Sequence, residues 1–126
     1  EGLSACFVRG ADMAYQNDKV LFIELREKKS YLSIIGYDNL SLSDYLAVCL
    51  QNNNKPVSQI KSYSDENVTF AYSSYYYQVQ GAMYCYYVVV YESNDYFYCT
   101  NFVCLAGEQS VYEPQFLSWA KTAVVE

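Results

Sequence analysis

Between residues 68 and 105 hydrophobic positions run almost unbroken, as VTFAYSSYYYQVQGAMYCYYVVVYESNDYFYCTNFVCL. Tyr, Phe, Val and Thr in this density are the side chains of a half-buried pleated surface. Two polar breaks divide the run. Gln80-Gly81 brings the glycine that a tight turn needs for positive φ, and Glu92-Ser93-Asn94-Asp95 has the length and composition of a hairpin loop. The pattern therefore predicts three consecutive antiparallel strands, over residues 68–78, 82–91 and 96–105. If the second loop closes symmetrically, Tyr91 faces Tyr96, Cys85 lies opposite Phe102 and Cys104 opposite Met83. Cys85 and Cys104 are then diagonal neighbours on one face and Cys99 points to the other. A diagonal separation is too long for a relaxed disulfide.

The flanking patterns are shorter. Residues 3–9, LSACFVR, suit a strand, and Met13 to Gln16 with Lys19 to Leu25 read as a hairpin about Asn17-Asp18. Arg26 to Ser30, REKKS, reads as a solvated charged loop, and Tyr31 to Asp38 fits strand or loop equally. A helix follows: Ser41 and Asp44 have capping-box spacing, and Leu42, Tyr45, Leu46, Cys49 and Leu50 recur on one helical face. Asn52-Asn53-Asn54 and Pro56 end it. Val57 to Tyr63 alternates loosely and enters the sheet before a turn at Ser64 to Asn67. At the far end Ser110 and Glu113 suggest a second capping box with Pro114 in the first turn, and Phe116, Trp119, Ala120 and Ala123 share one face. This terminal helix is expected to pack its tryptophan onto the sheet. The order of elements predicts an α+β fold, a mainly antiparallel sheet flanked by helices, in a single domain over residues 1–126.

Composition narrows the chemistry more than it identifies it. The 126 residues carry a net charge of −6, which disfavours nucleic acid or an anionic membrane as partner. No apolar run reaches the roughly 20 residues that span a bilayer. There is no histidine, so Ser-His-Asp and Cys-His catalysis and histidine-bearing metal sites are all excluded. The acidic residues show no paired spacing within an apolar frame, the isolated glycines build no phosphate loop, and Ser30 after Lys28-Lys29 is not in the Ser-x-x-Lys order that Ser-Lys enzymes use. The five cysteines, Cys6, Cys49, Cys85, Cys99 and Cys104, lack Cys-x-x-Cys spacing and read as small buried hydrophobes kept reduced. No catalytic residue, cofactor or metal is expected. Asn39-Leu-Ser41 and Asn67-Val-Thr69 match the glycosylation sequon, a motif short enough to arise by chance.

Tyrosine is the distinctive remainder, with 16 in the chain. Tyr75, Tyr76 and Tyr77 are consecutive and Tyr84, Tyr86 and Tyr87 cluster, so both faces of the meander carry phenol rings. One set either lies beneath the helices or forms an exposed aromatic face for a partner, and alternation alone does not choose. Tyr75, Tyr77, Tyr84 and Tyr86 are the candidate interaction surface.

The helix SLSDYLAVCLQNN, the aromatic meander and the ending YEPQFLSWAKTAVV together resemble small secreted or lipid-anchored domains of anaerobic Gram-positive bacteria that are similar in fold to the PsbP and Mog1 proteins. The resemblance spans about residues 11–125 and rests on fold-bearing aromatics, so it carries no active-site residue. It implies an α/β/α sandwich with the C-terminal helix on the sheet, and a binding or assembly role outside the cytoplasm. A cell-surface location would in turn favour oxidation of any cysteine pair that can meet. The resulting expectation is a non-catalytic, extracytoplasmic domain with a protein or cell-envelope partner. Its alternative is a carrier of a small apolar ligand in a Tyr/Phe-lined pocket between sheet and helix. A thiol enzyme ranks third.

Overall fold

The computed structural model describes residues 20–52, 54–55 and 59–123, with side chains from Arg26 onward. The expected strand over residues 3–9 and the first hairpin arm at Met13 to Gln16 lie outside the described residues. Five strands, β1 (Val20–Glu27), β2 (Lys61–Ser64), β3 (Thr69–Val79), β4 (Ala82–Glu92) and β5 (Tyr96–Leu105), form one antiparallel sheet in the order β1-β5-β4-β3-β2. Helices α1 (Lys28–Ile35) and α2 (Leu42–Asn52) cover one face. A 3₁₀ turn at Ala106–Glu108 leads into α3 (Gln109–Ala120), which covers the other. The architecture is the expected α+β arrangement.

The meander forms where the apolar run predicts it. Its first turn is built by two positive-φ residues, Gln80 at 51° and Gly81 at 86°, the geometry whose twist matches the flanking strands. The second loop differs from the expected one. Ser93 N–H donates to the Tyr96 carbonyl at 2.9 Å and Tyr96 N–H to Ser93 Oγ at 3.1 Å, so Ser93 and Tyr96 join the ladder and only Asn94-Asp95 connects the strands. Tyr91 consequently pairs with Tyr98 rather than Tyr96, and Cys85 sits directly opposite Cys104 rather than diagonal to it. A slip of two residues leaves every side chain on its expected face.

Two apolar layers result. On the α3 side Phe70, Tyr87, Tyr91 and Phe102 meet Phe116, Trp119 and Ala120, with Phe102 and Phe116 stacked at 5.2 Å between ring centroids. Trp119 is buried as expected. On the other side Ala71, Val88, Val90, Phe97 and Cys99 meet Tyr31, Tyr45, Leu46 and Leu50, and Tyr45 stacks on Phe97 at 4.1 Å.

The helices depart from the expected reading at their starts. REKKS is not a loop, because β1 runs to Glu27 and α1 begins at Lys28 with no side-chain cap. Lys28 is anchored instead by tertiary partners: its N–H donates to the Asp95 carbonyl at 2.8 Å and its ammonium pairs with Glu92 at 2.7 Å. The helix occupies most of the segment that fitted strand or loop, and ends where Gly36 takes φ 76°. In α2 the cap at Ser41 forms, its Oγ accepting from Asp44 N–H at 3.1 Å. In α3 the expected box does not form: the helix starts at Gln109, Pro114 lies inside it, and Glu113 accepts from the hydroxyl of Tyr87 on β4 at 2.7 Å.

Candidate functional site

The sheet is longer than the helix that covers it. An eleven-residue helix such as α2 spans about 16 Å, whereas eleven-residue strands such as β3 and β4 reach about 36 Å. The α2 layer therefore ends near Val88 and Tyr75, and the remainder of that face, toward the Gln80-Gly81 turn, carries phenol rings.

Register places these rings together. Tyr75 pairs across the ladder with Tyr86, and Tyr77 with Tyr84, so all four candidate tyrosines share the α2 face. Tyr75 and Tyr86 stack at 5.1 Å with their planes 6° apart, and Tyr77 meets Tyr86 edge-on at 6.4 Å and 72°. Tyr75 touches the helix layer, Tyr84 and Tyr86 are half-buried, and Tyr77 is 51% exposed. Exposed Val79 and Leu105 flank them. Tyr76, at the centre of the tyrosine triplet, points to the opposite face, where its hydroxyl bonds Gln109.

One cation completes the site. Lys55, just past α2, holds its ammonium 3.8 Å from the centroid of Tyr77 and 5.1 Å from that of Tyr75. Such a contact contributes roughly 0.5–1 kcal/mol at an exposed site and fixes a positive charge over an otherwise apolar patch. Burial first, then the neighbouring Tyr86, hold the Tyr75 hydroxyl above the ordinary phenol range. The patch therefore presents neutral rings, hydroxyl groups and one ammonium to whatever meets it. Lys55, Val79 and Leu105 carry no local sequence signal; only the register and the chain's path beyond α2 bring them here.

Among the described residues two further concavities are open and lined largely by polar groups. A cleft of about 480 Å³ between Glu27, Lys28, Asn39 and Asp95 is rimmed by charges, and one of about 310 Å³ lies over the Asp65 to Thr69 turn. In that turn Asp65 accepts from Asn67 N–H at 2.7 Å, Val68 N–H at 2.8 Å and the Tyr63 hydroxyl at 2.8 Å, and these bonds lower its carboxyl pKa. Neither cleft is the closed aromatic cavity of a carrier. None of the four described cysteines is in a disulfide; Cys85, Cys99 and Cys104 are buried and Cys49 is part-exposed. Among the described residues no helix is long and apolar enough to cross a membrane.

Comparison with known proteins adds the fold and little else. No protein-family model matches the chain, and no curated protein matches it. Among solved structures it is similar to a protein of unknown function from Pseudomonas aeruginosa, with 16% identity over 83% of each chain and a TM-score of 0.51. At that identity the likeness concerns the fold alone.

Proposed function

We propose that this chain is a non-catalytic, extracytoplasmic interaction domain of the PsbP/Mog1-like kind, belonging to a secreted or lipid-anchored protein, and that it docks a protein partner through Tyr75, Tyr77, Tyr84 and Tyr86. One observation carries the reading: four tyrosines from neighbouring strands are gathered on one face of the sheet, running from Tyr75 at the edge of the α2 layer to the exposed Tyr77. Tyrosine is favoured at interface centres because a rigid ring gives large contact area at small entropic cost. The rings already lock one another by stacking, so little freedom remains to be lost on binding. Lys55 adds one positive charge to a chain of net charge −6 and selects a partner with a carboxylate facing it. The carrier reading is second; the two clefts described above are open and carry charged residues.

The test is retention of partners from cell-envelope and culture fractions of the source organism by the immobilised domain, against Tyr77→Ala/Tyr84→Ala. Truncating an interface tyrosine costs about 1–2 kcal/mol, or roughly tenfold in affinity per site. The reading expects a protein that the wild type retains and the double variant loses, with both melting alike. Equal retention by the two would overturn the tyrosine face. A small apolar molecule in the native mass spectrum of the wild type would move the assignment to the carrier.

A further inference from the structure

Cys85 and Cys104 occupy opposite positions on β4 and β5, two adjacent strands in the interior of the sheet, and their side chains enter the same apolar layer beneath α3. The Ser93–Tyr96 hydrogen bond sets the alternation of the ladder. Counting back by twos from that bonded pair makes Cys85–Cys104 a bonded pair as well. Such pairs hold their Cα atoms about 5.5 Å apart, inside the ~4.4–6.8 Å that a disulfide spans. We propose that Cys85 and Cys104 form a reversible disulfide site that ties β4 to β5 when the chain folds in an oxidising compartment. This inference does not depend on the tyrosine face.

The chemistry is thiol–disulfide exchange with a low-molecular-weight disulfide such as oxidised glutathione. The thiolate of one cysteine attacks the reagent, forming a mixed disulfide and releasing one glutathione thiol. The second cysteine then displaces the other. Two electrons pass from the protein dithiol to the reagent, and the two cysteine protons end on the released thiols. Timing follows from burial: Cys85 is 0% exposed and Cys104 2%, within the apolar cluster that Phe116 and Trp119 complete. Burial, and next the adjacent Cys104, push the Cys85 thiol up to about 11, so little thiolate exists in the folded state. Oxidation therefore belongs to the folding chain, before α3 docks. A bonded pair sets its Cβ atoms near ~5.5 Å, and a disulfide draws them to about 4 Å, so the two Cβ atoms must close by roughly 1.5 Å. That strain makes the link easier to reduce than a relaxed one.

The experiment refolds the full chain from denaturant in a mixture of oxidised and reduced glutathione, quenches with acid, blocks remaining thiols with iodoacetamide under denaturing conditions, and maps peptides by mass. The inference expects three of the five cysteines alkylated, a peptide pair joined through Cys85 and Cys104, and its loss on adding dithiothreitol. Cys85→Ala and Cys104→Ala each abolish the link, whereas Cys49→Ala preserves it. Five alkylated cysteines after oxidative refolding, or a link through Cys6, Cys49 or Cys99, would overturn the proposal. The wild-type map decides the matter even if a variant fails to fold.

Discussion

Truncating Phe116 to alanine tests the α3 layer directly. The ring is 1% exposed, stacks on Phe102 at 5.2 Å and 12°, meets Tyr87 edge-on at 5.6 Å and 64°, and touches Tyr112 and Trp119 within 6 Å. Deleting a buried phenylalanine ring costs about 3–5 kcal/mol, because lost transfer energy adds to the cavity left among rigid neighbours. A domain of this size is stable by about 5–15 kcal/mol, so the substitution removes a large fraction of the total. With a urea m-value of about 2 kcal/mol/M, the midpoint falls by roughly 1.5–2.5 M at unchanged slope. Trp119, 3% exposed beside Phe116, supplies the signal: its emission shifts to the red on unfolding. Val111→Ala, on the same helix but 69% exposed, is the control and stays within about 0.5 kcal/mol. A loss below about 1 kcal/mol for Phe116→Ala would refute the reasoning, as would native emission typical of water-exposed indole. Either result would mean that α3 does not seat its apolar face on the sheet.

Two further outcomes concern the turns. Gly81→Ala meets no atom within 4 Å but places a Cβ at φ +86°, so it destabilises by about 1–2 kcal/mol by denaturant titration, while Gln80→Asn, better suited to φ 51°, stabilises by a few tenths. For Asp65, whose carboxyl pKa is lowered by the N–H of Asn67, the Tyr63 hydroxyl and the N–H of Val68, linkage gives the sign. The contribution is fully present above the unfolded value, near 3.9, and disappears as pH falls through the lower folded value. Asp65→Ala therefore melts below the wild type at neutral pH, and the two curves converge in acid; a constant gap would contradict the assignment.

The meander was legible because aromatic and β-branched residues are dense there and the glycine of the first turn is unambiguous. The faces of Cys85, Cys99 and Cys104 were legible too, since strand parity survives a slip of two residues. For the same reason the direct opposition of Cys85 and Cys104 was not: apolar patterning is blind to a two-residue shift, and only the Ser93 hydrogen bonds decide it. Helix α1 was hidden because it starts without a cap and is fixed by Glu92 and Asp95, more than 60 residues away in the chain. The expected cap at Glu113 failed because the Tyr87 hydroxyl, a partner on another element, takes its carboxylate. Of the site, the four tyrosines could be named from the alternation, whereas their exposure depends on where α2 ends, a tertiary fact.

The strand order carries a consequence for how the chain assembles. Strands β2 to β5 are consecutive in sequence and adjacent in the sheet, so each pairing closes only a short turn. Among the described strands, β1 alone must find its partner from about 70 positions away, since Glu27 pairs with Tyr96, and loop-closure entropy opposes that step most. The four-strand meander is thus a unit that forms first and opens last, with β1 as a latch added to its β5 edge. Amide exchange in the native protein reads this directly: the inward N–H groups of β1 exchange while those of β4 stay protected, and simultaneous exchange of both would show that the latch is not a separate unit.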